Sequence, residues 1–323
     1  MRHQKAACTQ IVKNEKQRYQ RKGYGLIVAT AIFFSFFIGV PFIFKAYWGD
    51  ILEFKQRHAI SYNMMYLGVV LMLHNVIHIG ANLVYWVFYH YEFAFIERYK
   101  SNEDPWPWHT DPEGWRTLVK KAVFVLLFNG NVLVLLVYLP LTRAGLTKEH
   151  SLEEAKIPTP TTLAASILFF MLCEDFTFYC THRLLHYGPI YRRIHKMHHS
   201  FKTTVGIAAE YAHPVEFVLG NMLPTSVGPA IFGPKAHIVT AWAWYAIRFG
   251  ETLDGHCGYD FSWSPYRLIP LSGSSDYHDF HHSANIGNYS SFFCIWDTIF
   301  GTNKDYYKYL EERQRKAAKL KSQ

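Results

Sequence analysis

TTLAASILFFMLCEDFTFYCTHRLLH, residues 161–186, decides how this chain is read. From Thr161 to Thr181 it is apolar for 21 residues, broken only by Glu174 and Asp175, about the length that crosses a hydrocarbon core. His182-Arg-Leu-Leu-His186 follows at once, placing two imidazoles four apart at the mouth of a membrane helix. Acids at membrane depth are expensive, so Glu174 and Asp175 read as functional.

Working outward, three earlier stretches have the same character: Tyr24–Phe44, Tyr62–Tyr91 and Ala122–Leu141. Four spans follow. A fifth apolar region, Phe217–Phe249, contains Pro224, Pro229 and Pro234 and reads as a bent, re-entrant hairpin. Lys45–Ser61 and Thr142–Pro160 become short luminal loops. Residues 92–121, with Asp104-Pro-Trp-Pro-Trp108 and Asp111-Pro-Glu-Gly114, become a cytosolic loop rich in turn chemistry. Tyr24–Phe44 is too long for a secretory leader and lacks its cleavage site, which points to a signal anchor.

The net charge of +8 sits at the ends. Residues 1–24 hold seven Lys/Arg and one acid, and residues 304–323 hold seven and three, which leaves the middle near −2. Basic tails around apolar spans indicate topology rather than nucleic-acid binding, and they place both termini in the cytosol. Residues 182–202 add five Lys/Arg and no acid, so the histidines share that side. The five cysteines have no paired spacing and are expected as free thiols.

Two more clusters follow the first, His195-Lys-Met-His198-His199 and His278-Asp-Phe-His281-His282. Eight imidazoles at ligand spacing exceed what one ion needs, and neutral imidazoles packed together lack partners for their second nitrogens. His213, in Glu210-Tyr-Ala-His-Pro-Val-Glu216, and His256, in Glu251-Thr-Leu-Asp-Gly-His256, join them to make ten candidate ligands for two ions. Ligand histidines usually donate their other N–H to a carboxylate or carbonyl. Asp175, Glu210, Glu251, Asp254 and Asp279 are the candidates for that role, with Asp260 beside them. His74, His78 and His237 stand singly in apolar stretches and read as packing or hydrogen-bonding groups.

The expected fold is an all-α integral membrane protein of about four spans plus a re-entrant hairpin, with a cytosolic, histidine-rich helical cap holding a dinuclear metal site. It divides into a basic arm (1–23), a four-span region (24–181), a catalytic region (182–302) and a basic tail (303–323). The tail ends Lys319-Leu-Lys-Ser-Gln323, a dilysine-like address for the endoplasmic reticulum.

The order HxxxH, HxxHH, HxxHH after several spans resembles the fatty acid hydroxylase/sterol desaturase superfamily. Within it, the strings HRLLH, RRIHKMHHSF, AAEYAHPVE, ETLDGHCGYDF, YHDFHH, IGNYSSFF and WDTIFGT are similar to C4-methylsterol oxidases. Tyr187 and Tyr277 stand where many members carry a further histidine. The N-terminal half resembles the family only in hydropathy. The resemblance implies two iron ions, with zinc as a possible occupant, and oxygen-dependent oxidation of a sterol C4 methyl group through alcohol and aldehyde to acid. Electrons would come from NAD(P)H through cytochrome b5 and its reductase, and the sterol would enter from the bilayer. Trp242, Trp244, Tyr245 and Trp263 are read as interfacial anchors or as lining of that entry route. Sister activities on the same frame are desaturation, side-chain dealkylation and hydroxylation. A metal transporter or a non-catalytic sterol-binding protein is the reading from other classes.

Overall fold

Residues 2–102 and 104–321 are described by the computed structural model, and among them every regular element is helical. The long helices are α1 (Arg2–Arg57), α2 (Tyr62–Tyr91), α3 (Pro112–Leu127), α4 (Val134–Arg143), α5 (Pro160–Leu185), α6 (Leu223–Phe232), α7 (Ile238–His256), α8 (Ser275–Ala284) and α9 (Lys304–Lys321). A π-helical turn, Phe128–Leu133, joins α3 to α4, so both form one membrane-length segment. Four segments are long and apolar enough to span: 23–57, 62–91, 112–143 and 160–185. The dilysine-like end runs past the described residues at Ser322 and Gln323.

Local chemistry sets the starts. Ser61 caps α2 by accepting the Met64 N–H at 3.2 Å, and Thr159 caps α5 by accepting that of Thr162 at 3.1 Å, with Pro160 in the first turn. Two expected loops turn out helical. Lys45–Arg57 extends α1, because it has no internal breaker and Trp48 is fully buried with its indole N–H donating to the Leu152 carbonyl at 3.0 Å. Asp111-Pro-Glu-Gly is not a turn but the N-terminus of α3: Asp111 accepts the Gly114 N–H at 3.0 Å and Pro112 sits at the first position.

The Pro-rich region folds as the expected bent hairpin. Residues Phe217–Met222 form a π turn, α6 follows, and Gly233–Lys235 turns the chain into α7. α6 lies against α5 so closely that a Cβ on Gly228 would come within 2.8 Å of the Phe170 Cα. Leu163, Ile167 and Phe170 of α5 pack with Ala243 and Trp244 of α7 and with Phe292. Trp48, Met65 and Val70 pack with Ile238 and Trp242. Trp242 and Trp244 are therefore core residues, not interfacial anchors, and the Trp244 N–H is satisfied by the Thr225 carbonyl at 2.8 Å. Trp263 stacks on Phe261. Cys173, Cys180, Cys257 and Cys294 are free thiols.

Candidate metal centre

Each HxxHH box, one in the 3-10 turn His195–Ser200 and one in α8, divides between two sites, its i and i+4 imidazoles in one and its i+3 imidazole in the other. His195 and His199 join His182, His186 and His281 in a group of five. His198 joins His256, His278 and His282 in a group of four. In the first, Nε2 atoms lie 3.0 Å (His195–His186), 3.1 Å (His199–His195) and 3.2 Å (His186–His281) apart. In the second the spacings are 2.9 Å (His278–His256), 3.2 Å (His282–His278) and 3.5 Å (His256–His198). The His199 and His282 rings, one from each group, are 4.9 Å apart between centroids.

The outward nitrogens explain why the inward ones converge. Nδ1 donates to the carbonyl of Tyr289 in His182 (2.9 Å), of Gly287 in His281 (2.6 Å), of Phe201 in His282 (2.9 Å) and of Thr252 in His256 (2.7 Å). His195 Nδ1 donates to Glu216 at 2.7 Å. Each of these bonds fixes the tautomer, leaving a lone pair on Nε2 facing other lone pairs. Burial first, then the charge of neighbouring imidazoles, holds His195, His198, His278 and His281 well below the ordinary histidine range, and His186 down to about 2. Neutral lone pairs converging at about 3 Å repel unless a cation lies among them. The all-imidazole donor set fits a transition metal such as iron or zinc in each group.

The loop at 285–293 is shaped to deliver two of those carbonyls. Asp175 accepts the N–H groups of Ser291 and Phe293, both at 3.0 Å. Asp297 accepts those of Tyr289 and Ser290, both at 2.9 Å. Gly287 adopts φ +62°, and a Cβ there would collide with the Thr302 carbonyl. This accounts for the IGNYSSFF and WDTIFGT strings.

Nine of the ten expected ligands are thus brought together. His213 is not: it is half-buried, belongs to neither group, and caps the Pro214–Glu216 turn by accepting the Val215 N–H at 3.2 Å. The five acids expected beneath the ligands are placed elsewhere. Glu210 lies against His74 and His78, Glu251 pairs with Arg248, and Asp254 pairs with Arg267. Asp175 acts through the 285–293 loop. Asp279 accepts the Thr204 N–H (3.1 Å) and hydroxyl (2.7 Å), steadying the strand of backbone that ends at Phe201. Among the described residues, the carboxylate that does touch a clustered histidine is Glu216, six residues beyond Glu210 in the same string. Replacing Glu216 with Ala is expected to weaken metal retention by about 10–100-fold, read as metal remaining after dialysis against a chelator. Wild-type retention would reduce the His195–Glu216 contact to packing.

The sequence profile of the fatty acid hydroxylase family matches residues 167–302, which contain all nine clustered histidines. A putative methylsterol monooxygenase of Dictyostelium discoideum is 38% identical over 232 residues, covering 71% of this chain and 81% of that protein. The chain belongs to the fatty acid hydroxylase family. Among other family members, methylsterol monooxygenase 2-2 of Arabidopsis thaliana is 42% identical over 183 residues, 55% of this chain and 66% of that protein. A very-long-chain aldehyde decarbonylase of Oryza sativa subsp. indica is 44% identical over 164 residues, 49% of this chain and 60% of that protein. The chain therefore spans slightly under two thirds of these last two relatives. No solved structure matches it.

Proposed function

We propose that this family member is a sterol mono-oxygenase that oxidises a C4 methyl group of 4-methylsterols, using two iron ions, dioxygen and electrons from NAD(P)H through cytochrome b5. The observation that carries the reading is an apolar cavity of about 320 Å³ between α2, α4, α6 and α7. That volume is within the usual range for lipid and cofactor pockets, roughly 300–1,000 Å³. Asn221 and Thr252 belong both to this cavity and to the narrower cleft lined by His182, His195, His198, His256 and His278. A lipid entering from the bilayer would meet the histidine groups end-on.

Irons bound at the two groups would supply the reduction of dioxygen and the oxidation of an unactivated C–H bond. The chain's own residues do the rest. The imidazoles hold the metals, the carbonyls of residues 287 and 289 orient them, and the apolar walls exclude water from the reacting end. The names of two of the relatives above support a sterol substrate, while the aldehyde decarbonylase keeps a sister reaction in view. We also propose residence in the endoplasmic reticulum membrane with both termini cytosolic. In support, Gly25 near the start of the first span abuts Ser262, and α9 packs against α1.

The test is product analysis with iron-loaded protein, reductase, cytochrome b5 and NADH. A 4α-methylsterol, a side-chain-alkylated sterol and a long-chain aldehyde are offered separately. Oxygen-dependent oxidation of the C4 methyl is the expected result. Turnover of either of the others alone would transfer the activity to a sister reaction.

A further inference from the structure

A third group of metal-capable side chains lies outside both histidine clusters. His74 and His78 of α2 flank Glu210: His74 Nε2 is 2.7 Å from Oε2, and His78 Nε2 is 3.3 Å from Oε1. All three are buried. Ring orientation separates this group from the other two. The i,i+4 pairs within the clusters are steeply inclined, at 64° for His182–His186, 78° for His195–His199 and 72° for His278–His282. Steep inclination lets both rings point at one ion. His74 and His78 instead stack at 28° with centroids 4.3 Å apart, each addressing its own oxygen of a single carboxylate. With His78 as an imidazolium, its Nδ1–H donating to the His74 carbonyl at 2.9 Å and its Nε2–H directed at Oε1, this is the geometry of a clamped anion. A Cβ on Gly130 would collide with the His74 ring, so the π turn at Phe128–Leu133 can close on the clamp only because that residue is glycine.

The clamp has no need to exist for packing alone. Burying a carboxylate and two imidazoles is expensive, and an apolar filling would be at least as stable. Its position supplies a reason. Glu210, His74 and Arg248 line the lipid cavity near its junction with the metal cleft, where Asn221 and Thr252 are shared. Phe249 packs edge-on against His74 at 5.3 Å and lies seven residues before His256 on α7. At 1.5 Å of rise per residue, the Phe249 and His256 backbones lie about 10 Å apart along that helix. A hydrogen bond of about 3 Å and the roughly 3 Å from a hydroxyl oxygen to a methyl carbon on the adjacent ring atom cover about 6 Å of that interval, leaving the rest for the approach of the methyl C–H to the bound metals.

We propose that the Glu210 carboxylate, clamped by His74 and His78, is the anchor that accepts a hydrogen bond from a hydroxyl group of the lipid substrate and so sets which carbon faces the metals. The inference rests on the sterol reading above, in which the hydroxyl is the one at C3, vicinal to the C4 methyl. Glu210 is thereby a specificity-determining residue. An alkyl lipid lacking a hydroxyl at that distance slides along the cavity without register.

The experiment is equilibrium binding of radiolabelled 4α-methylsterol to full-length, metal-loaded protein in detergent, alongside its 3-deoxy analogue, with metal content and turnover measured on the same samples. Wild type is expected to prefer the hydroxysterol by about tenfold or more, as for a hydrogen bond to a charged acceptor. Glu210→Gln should reduce that preference to within about threefold and raise KM more than it lowers kcat. Its metal content should stay at the wild-type level. Glu210→Asp keeps the charge between the imidazoles but withdraws it by one methylene, and serves as a second variant with an intermediate preference. An unchanged preference in both variants, or none in wild type, overturns the anchor. Loss of one metal equivalent in Glu210→Gln overturns it in favour of a third metal site. Should the preference vanish in the variants while wild type leaves the C4 methyl untouched, the anchor stands and the reaction assignment falls.

Discussion

Replacing His281 with Ala is expected to abolish turnover and strip metal from the five-histidine group. His281 has no exposed surface, and its ring is packed against His182, His186 and His199. Its Nδ1 is the donor that satisfies the Gly287 carbonyl. Alanine removes one inward lone pair and leaves that buried carbonyl unpaired. The loss should exceed the roughly 10–100-fold that follows removal of an outer partner. His213→Ala is the matching control. As a cap it is worth about 1 kcal/mol of local helix stability, and its metal content should equal wild type. Metal analysis of both purified variants checks the pair of expectations. Full metal in His281→Ala, or loss in His213→Ala, would reverse the assignment of ligand and cap.

The second large effect concerns folding. Arg248 donates from Nε to Glu174 and from a terminal nitrogen to Glu251, both at 2.7 Å, and Glu174 has no exposed surface. Replacing Arg248 with Leu leaves a carboxylate buried at membrane depth with no cation. Breaking a buried pair from one side typically costs about 3–5 kcal/mol, a drop on the order of 10 °C in thermal midpoint for a domain of this size. The double variant Arg248→Leu/Glu174→Leu removes both charges and should recover most of that loss. Thermal unfolding in detergent with the four-member mutant cycle measures it. If the single variant melts with wild type, the network contributes nothing to stability. If the double variant is worse than the single, water rather than Arg248 compensates Glu174.

Glu174 shows what a linear reading can reach. Its depth in an apolar span is enough to mark it as important, but its partner lies 74 residues away on a different helix. The histidine groups are legible for a related reason: HxxxH and HxxHH are local patterns that keep their imidazoles within one or two turns of one another. His256 needs only the end of its helix to deliver it. His213 stands in an equally polar setting, but the proline after it opens a helical turn, and its ring is used on the Val215 N–H instead. Outer partners are the least accessible layer. Among the described residues most are backbone carbonyls, which no residue type announces, and the carboxylate Glu216 stands in the same string as Glu210, which meets His74 and His78 instead. Spans are recognisable from hydropathy, whereas the helical extension through Arg57 depends on Trp48 finding Leu152 far along the chain.

The division of each HxxHH box between two groups has a consequence for how such a site is assembled. His198 and His199 are joined by one peptide bond, as are His281 and His282, and in both cases the two side chains belong to different histidine groups. The backbone at these two points acts as a rigid yoke: whatever draws one ion's shell into place also sets the other. The pair of metals should then load as a unit, with the half-filled protein scarce at equilibrium. Inserting or deleting a single residue inside either box would exchange the destinations of its histidines rather than merely shift them, and so dismantle both sites together.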